Sequence, residues 1–324
     1  MPASPVVLIA DPLAPEAKQL LVDAAVSVRH VTGAQRPDLL AAVGDADALV
    51  VRSATRVDRE VFEAAPRLRV VSRAGVGIDN IDVDAATAHG VLVANTPAAN
   101  VHSAAEHTVA LLLAAARNIP AADASTHAGR WERSALQGVE LYGKTAGVVG
   151  FGRVGQLVAE RLAAFGMRVV AYDPVWDREA SIRIGVEYAD LDELVAHSDV
   201  VTIHVPRTEA TRALFDARRL AGAKPGQILV NASRGGVVDE RALADALRDG
   251  PLRAAGIDVF EEEPPADSPL LACGNVVLTP HLGASTREAQ LRAGEAAVDA
   301  VLRALRGGGA DVPGAVNAEA LARQ

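Results

Sequence analysis

Thr145-Ala146-Gly147-Val148-Val149-Gly150-Phe151-Gly152-Arg153-Val154-Gly155 is the stretch that decides the fold. A short apolar run breaks into G-x-G-x-x-G, and Leu157, Val158, Leu162 and Phe165 then recur at the spacing of one helix face. Strand, glycine turn and helix in that order make a nucleotide-binding unit. Gly150 makes the tight turn, Gly152 lets the backbone approach a pyrophosphate, and Gly155 lets helix and strand pack closely. The helix N-terminus offers its N–H groups and a partial positive charge to the phosphates. Asp173 stands 18 residues beyond Gly155, at the end of the next apolar run. A carboxylate there accepts from ribose hydroxyls and repels a 2′-phosphate, so NAD is expected rather than NADP.

Outward from this motif the same rhythm continues. Apolar runs at 6–10, 48–51, 70–72 and 91–94 alternate with helical patterns at about 15–25 and 58–65, and a long helical stretch covers about 101–127. Beyond the motif, runs follow at 168–172, 200–205, 227–231, 254–258 and 276–278, then a last helix at about 287–305. Two such series in 324 residues predict an α/β chain of two doubly wound parallel-sheet domains with a ligand cleft between them. The pattern leaves open whether the last helix returns to the first domain.

The formal net charge is −9, from 41 acidic and 32 basic residues. That balance disfavours general binding to nucleic acid or an anionic membrane, so an anionic ligand must be met by a local group of basic residues. The single cysteine, Cys273, excludes an internal disulfide and a cysteine-based zinc centre, and no metal is expected. Met1-Pro2-Ala3-Ser4-Pro5 lacks the order of a secretion signal, and the longest apolar stretch, 109–116, is too short to span a bilayer. A soluble cytoplasmic protein is the expectation.

Three charged residues fall at the carboxyl ends of predicted strands, where open α/β sheets carry their chemistry. They are Arg234 in Asn231-Ala232-Ser233-Arg234-Gly235-Gly236, Glu263 in Phe260-Glu261-Glu262-Glu263-Pro264, and His281 in Thr279-Pro280-His281-Leu282-Gly283. Hydride transfer between an alcohol and a ketone needs a group that exchanges a proton near neutral pH, a carboxylate to orient it, and a cation to meet charge on oxygen. Histidine, glutamate and arginine suit these tasks, although each alone reads equally well as a loop or surface residue. Glu261 and Glu262 stand beside Glu263 as alternatives for the carboxylate.

The segment Arg73-Ala74-Gly75-Val76-Gly77-Ile78-Asp79-Asn80-Ile81-Asp82, the glycine motif, 231–240 and Pro280-His281-Leu282-Gly283-Ala284-Ser285-Thr286 resemble the D-isomer-specific 2-hydroxyacid dehydrogenases, over about residues 5–317. Within that family the likeness is greatest to the branch that oxidises D-3-phosphoglycerate in serine biosynthesis. The resemblance implies a Rossmann NAD-binding domain, 99–282, inserted into a flavodoxin-like substrate domain made of 1–98 and a return segment, 283–324. It implies a homodimer held by the helical region after Asn100. It also implies that Arg234, Glu263 and His281 act together, His281 as acid/base, with Glu263 favoured because it directly precedes Pro264. By the same match, NAD lies against Arg153, Val154, Asp173, Val205, Ala232, Ser233, Arg234, Asp258, His281, Gly283 and Ala284, besides the glycines.

A phosphorylated 2-hydroxy acid carries two anionic groups. The Gly75-Val76-Gly77 turn can present backbone N–H groups to the carboxylate, with Arg234 on its other side. By the resemblance, Arg52, Ser53, Arg73 and Arg133 take the phosphate, a role that suits guanidinium forks. Many members of that branch continue into serine-binding regulatory domains; the sequence stops soon after Val316-Asn317-Ala318-Glu319, and the expectation is an unregulated short form, a truncated chain or a paralogue moved to another substrate. The alternatives are a related reductase of a phosphonate-type acid, hydroxypyruvate or glyoxylate and, from another class, a corepressor-like module that senses NAD.

Overall fold

The computed structural model describes residues 4–33, 35–307 and 311–323. The chain forms two compact units, one built from the chain up to Asn100 and from Ala284 onward, the other from Val101–Gly283.

The first unit holds β1 (Val6–Ile9), β2 (Ser27–His30), β3 (Ala48–Val51), β4 (Val70–Arg73) and β5 (Leu92–Ala94), all parallel in the order β2-β1-β3-β4-β5. This order is the flavodoxin-like one. Alternation along the strands divides the core between the two faces. Val7 and Ile9 pack with the helices Pro15–Asp23 and Arg287–Leu305, while Leu8 packs with Val43, Leu49 and Phe62. The last long helix therefore returns to this unit, where Ala297, Val298 and Val301 lose all exposure. Edge strand β2 escapes a reading of the sequence because none of its four residues is buried, so no apolar run marks it.

The second unit holds β6 (Thr145–Val149), β7 (Arg168–Tyr172), β8 (Glu187–Tyr188), β9 (Val200–Ile203), β10 (Gln227–Asn231), β11 (Leu252–Ile257) and β12 (Val276–Leu278). They are parallel in the order β12-β11-β10-β9-β6-β7-β8, the Rossmann arrangement with one added strand. Chain direction around the sheet reverses between β6 and β9, so the loops after these strands flank the crevice where such sheets bind ligands. β9 and β10 are buried throughout, which is why they read as continuous rather than alternating runs. The single helix expected over 101–127 is two, Val101–Arg117 and Ile119–His127. Asn118 between them takes a left-handed φ of 53°, and Pro120 has no N–H to continue the ladder. No described helix is long and apolar enough to cross a membrane.

Candidate active site

The glycine turn closes the end of β6. Gly150 has φ 95°, and a Cβ on it would stand 2.7 Å from the His204 main chain at the end of β9, so only glycine lets the two strand ends meet. A Cβ on Gly155 would fall 2.0 Å from the Gly150 oxygen, which seats the helix Arg153–Ala164 on the turn. Gly152 is different, because a Cβ there would meet no protein atom within 4 Å. Its bare backbone answers no packing need of the chain. It leaves open space at a helix N-terminus that no side chain caps and whose first turn begins with Arg153 and Val154. A dinucleotide diphosphate needs such a cradle, and the residues present fit NAD. Asp173 is drawn onto the turn by the Phe151 N–H at 2.7 Å and the Val175 N–H at 2.8 Å, with lone pairs left for ribose hydroxyls. Buried Val205 packs against Gly150 from the β9 side.

In the first unit, Arg52 and Ser53 follow β3, and Arg73, Gly75 and Val76 lie at and after the end of β4. Three polar side chains shape these loops. Buried Asp11 accepts from the N–H groups of Arg52 (2.5 Å) and Thr55 (3.2 Å) and from the Thr55 hydroxyl (3.0 Å). Asn80 donates to the carbonyls of Arg52 and Thr55, and Asn95 to that of Val76. The Arg73 guanidinium reaches the Gly77 and Arg52 carbonyls. Among the described residues, no backbone carbonyl accepts from the Val76 or Gly77 N–H groups, which suits an anion-binding turn.

In the second unit, Asn231 at the end of β10 folds the turn that carries Arg234. Its side chain accepts from the Ser233 N–H (3.0 Å) and hydroxyl (2.8 Å) and donates to the Arg234 carbonyl (3.0 Å). Ala232 and Ser233 form the body of this turn. A Cβ on Gly235 would overlap the Phe260 oxygen at 1.7 Å, so the Arg234 turn lies directly against the segment that leads to Glu263. Glu263 accepts from the Phe260 N–H at 3.1 Å through one oxygen and pairs with His281 Nδ1 at 2.8 Å through the other. Burial pushes the Glu263 carboxyl up, but the hydrogen bonds from His281 and Phe260 outweigh it and hold it below the usual carboxylate range. An ionised carboxylate can only accept, so Nδ1 of His281 carries the proton. Nε2 is then the nitrogen left for chemistry, on a side chain that is 47% exposed. Geometry thus chooses among the three glutamates, since Glu261 turns its N–H to Glu240 and Glu263 bonds the histidine.

His281 has φ 54°, and three consecutive N–H groups explain how the turn holds it there. The His281 N–H donates to the Asp258 carbonyl (2.8 Å), and those of Leu282 (2.7 Å) and Gly283 (2.8 Å) donate to the Asp258 carboxylate. The same carboxylate accepts from the Thr279 hydroxyl (2.6 Å) and meets His107 Nε2 (3.0 Å). Burial raises the Asp258 carboxyl, and these donors more than reverse it, keeping the group ionised with a lowered pKa. Asp258, which the resemblance sets against NAD, is buried, and both its oxygens are hydrogen-bonded within this unit. Asp258 therefore builds the histidine turn. Gly283 ends this unit, and Ala284 begins the return segment of the other.

Arg133 belongs to the same unit. It sits in an exposed loop lining an open groove of about 1050 Å3 with Arg117, Gln137, Tyr142 and Phe165, and no member of the Arg234–Glu263–His281 group lines that groove. The loop is held there by the Val139 N–H on the Ala116 carbonyl and by Asn118 donating to the Leu136 and Gln137 carbonyls.

Residues 109–283 match the NAD-binding domain of the D-isomer specific 2-hydroxyacid dehydrogenases. The chain belongs to this family. The chain is 59% identical over 97% of its length to a D-3-phosphoglycerate dehydrogenase of Mycobacterium bovis, and it spans 59% of that protein. It is 46% identical to a hydroxypyruvate reductase of Thermotoga maritima, with 91% of this chain and 96% of that protein covered. A solved D-lactate dehydrogenase of Aquifex aeolicus, complexed with NAD and lactic acid, is similar at a TM-score of 0.83 and 30% identity, covering 94% of this chain and 96% of that one. The cofactor of the matching domain is NAD.

Several residues that shape the candidate site are not evident in the sequence. Asn231 carries a usable signal, because Asn-x-Ser at a strand end is an Asx-turn pattern. Asp11, Asn80, His107 and Thr279 carry none, since each acts through partners distant in the chain.

Proposed function

We propose that the dehydrogenase oxidises D-3-phosphoglycerate at C2 to the corresponding 2-oxo acid. The observation that carries this reading is the His281–Glu263 pair, with Nε2 directed away from the carboxylate and the Arg234 turn packed beside it. His281 Nε2 takes the hydroxyl proton as C2 becomes a ketone, and returns it in the reverse direction. Glu263 fixes the tautomer and offsets the imidazolium charge that forms. Arg234 holds the substrate carboxylate and meets negative charge on the C2 oxygen. When bound, NAD accepts the hydride. Arg52, Ser53 and Arg73, with the Gly75–Gly77 turn, supply the anion-binding groups, and the Mycobacterium relative supports phosphate as the second anion. Work in the cytoplasm belongs to the same reading. So does a homodimer, supported by Trp131 and Tyr142, which a single copy leaves 84% and 75% exposed near the groove that holds Arg133.

A second reading, reduction of hydroxypyruvate, is favoured by the Thermotoga relative, which the chain matches over nearly all of that protein's length. A panel of 2-hydroxy and 2-oxo acids with and without phosphate, run on wild type and Arg52→Ala, decides between them. The phosphorylated acids should be preferred at least tenfold, and Arg52→Ala should erase most of that preference. Equal rates on hydroxypyruvate and its phosphorylated counterpart, unaffected by Arg52→Ala, would transfer the assignment to the reductase.

A further inference from the structure

We propose that His107 is a positioning residue for the acid/base histidine, holding the His281 turn through Asp258. This inference rests on His281 being the acid/base group. His107 lies two turns into the helix Val101–Arg117, a helix that packs along β10 and β11 and otherwise buries Ala105, Thr108, Leu111 and Leu112 on them. Its Nε2 stands 3.0 Å from both the Asp258 carboxylate and the Thr279 hydroxyl. Thr279 gives its own proton to Asp258, and Asp258 is ionised, so both oxygens must accept from His107 and Nε2 carries the hydrogen. One Asp258 oxygen then collects the His107 N–H, the Thr279 O–H and the Leu282 N–H, while the other takes the Gly283 N–H.

The two side-chain donors come from below the turn and the two backbone donors from within it. Together they leave the carboxylate one orientation, and that orientation sets where the 281–283 backbone runs. Removing His107 frees the carboxylate to rotate about its Cβ–Cγ bond toward Thr279. The Leu282 and Gly283 N–H groups must follow it or lose their acceptor. Nε2 of His281 then wanders from the reacting oxygen, and misplacement on the scale of 1 Å costs up to about a hundredfold in rate. His107 is not among the residues that the resemblance sets against substrate or cofactor, so its loss falls more heavily on turnover than on binding.

The test compares His107→Ala, His107→Gln, Thr279→Val and His281→Ala in the full chain, measuring kcat, substrate KM and NADH affinity by fluorescence titration. His107→Ala should lose at least tenfold in kcat, a larger change than in substrate KM or in the NADH dissociation constant. His107→Gln, which restores a donor near the position of Nε2, should recover most of that loss. If His107→Ala does not fold, Thr279→Val removes a single donor from the same carboxylate and should show the same deficit, heaviest in kcat, about threefold or more. Wild-type kcat in His107→Ala or Thr279→Val would overturn the inference. So would a loss of NADH affinity as large as the loss in kcat, or failure of Gln to restore turnover. Turnover surviving in His281→Ala would instead overturn the acid/base assignment itself.

Discussion

At the scale of single residues, the site depends on one buried carboxylate whose charge is satisfied wholly by the chain. Asp258 has a folded pKa lowered by its donors. The unfolded chain therefore binds this proton more readily than the folded one, and the stabilisation is present above the ordinary carboxylate pKa of about 4. It is lost as pH falls through the lower folded value. Asp258→Asn should unfold more easily at neutral pH by about 2–3 kcal/mol, and its melting temperature should decline less than the wild type's between about pH 5 and pH 3. Parallel melting curves for the two proteins over that range would refute this. The left-handed backbone of His281 is a separate matter. An L-residue there bears a conformational cost of about 1–2 kcal/mol that glycine escapes. Of two inactive variants, His281→Gly should therefore be more stable than His281→Ala, reversing the usual order of those residues, and thermal denaturation checks it.

At the scale of elements, the glycines of one motif divide between folding and binding. A Cβ at Gly155 collides with the Gly150 carbonyl, whereas one at Gly152 meets nothing. Gly152→Val should keep a melting temperature close to the wild type's while losing at least tenfold in NADH affinity. Gly155→Val should lose several kcal/mol of stability, since backbone must move to admit it. Equal destabilisation by both would remove the distinction. The glycine motif was legible because strand, turn and helix are contiguous, and Asp173 because its offset is set by one βα unit. The carboxylate partner of His281 was legible only to within three glutamates, since a side chain's reach after a turn depends on the path of residues 260–263. His107 was invisible, as its partner lies 151 residues away. The break at Asn118 had a signal in Asn118-Ile119-Pro120, overridden by the helical pattern on both sides.

At the scale of the whole molecule, the two units differ in how the chain makes them. The second is one continuous stretch, while the first draws on both ends. The sheet face carrying Val50 and Val70 is covered in part by Ala297, Val298 and Val301 of the helix Arg287–Leu305. During synthesis from the N-terminus that face has no cover until residues beyond 300 leave the ribosome, by which time residues 101–283 have already emerged. The unit that begins first in the chain is therefore the last to become complete. Fragment 101–283 should fold cooperatively by itself, whereas fragment 1–100 should expose apolar surface and bind a hydrophobic dye until a peptide covering 284–323 is supplied. A cooperatively folded 1–100 fragment would disprove that order. Until the last helix arrives, the nascent chain carries a finished nucleotide-binding unit behind an unsealed sheet, and chaperones that recognise exposed apolar strands would find their target there.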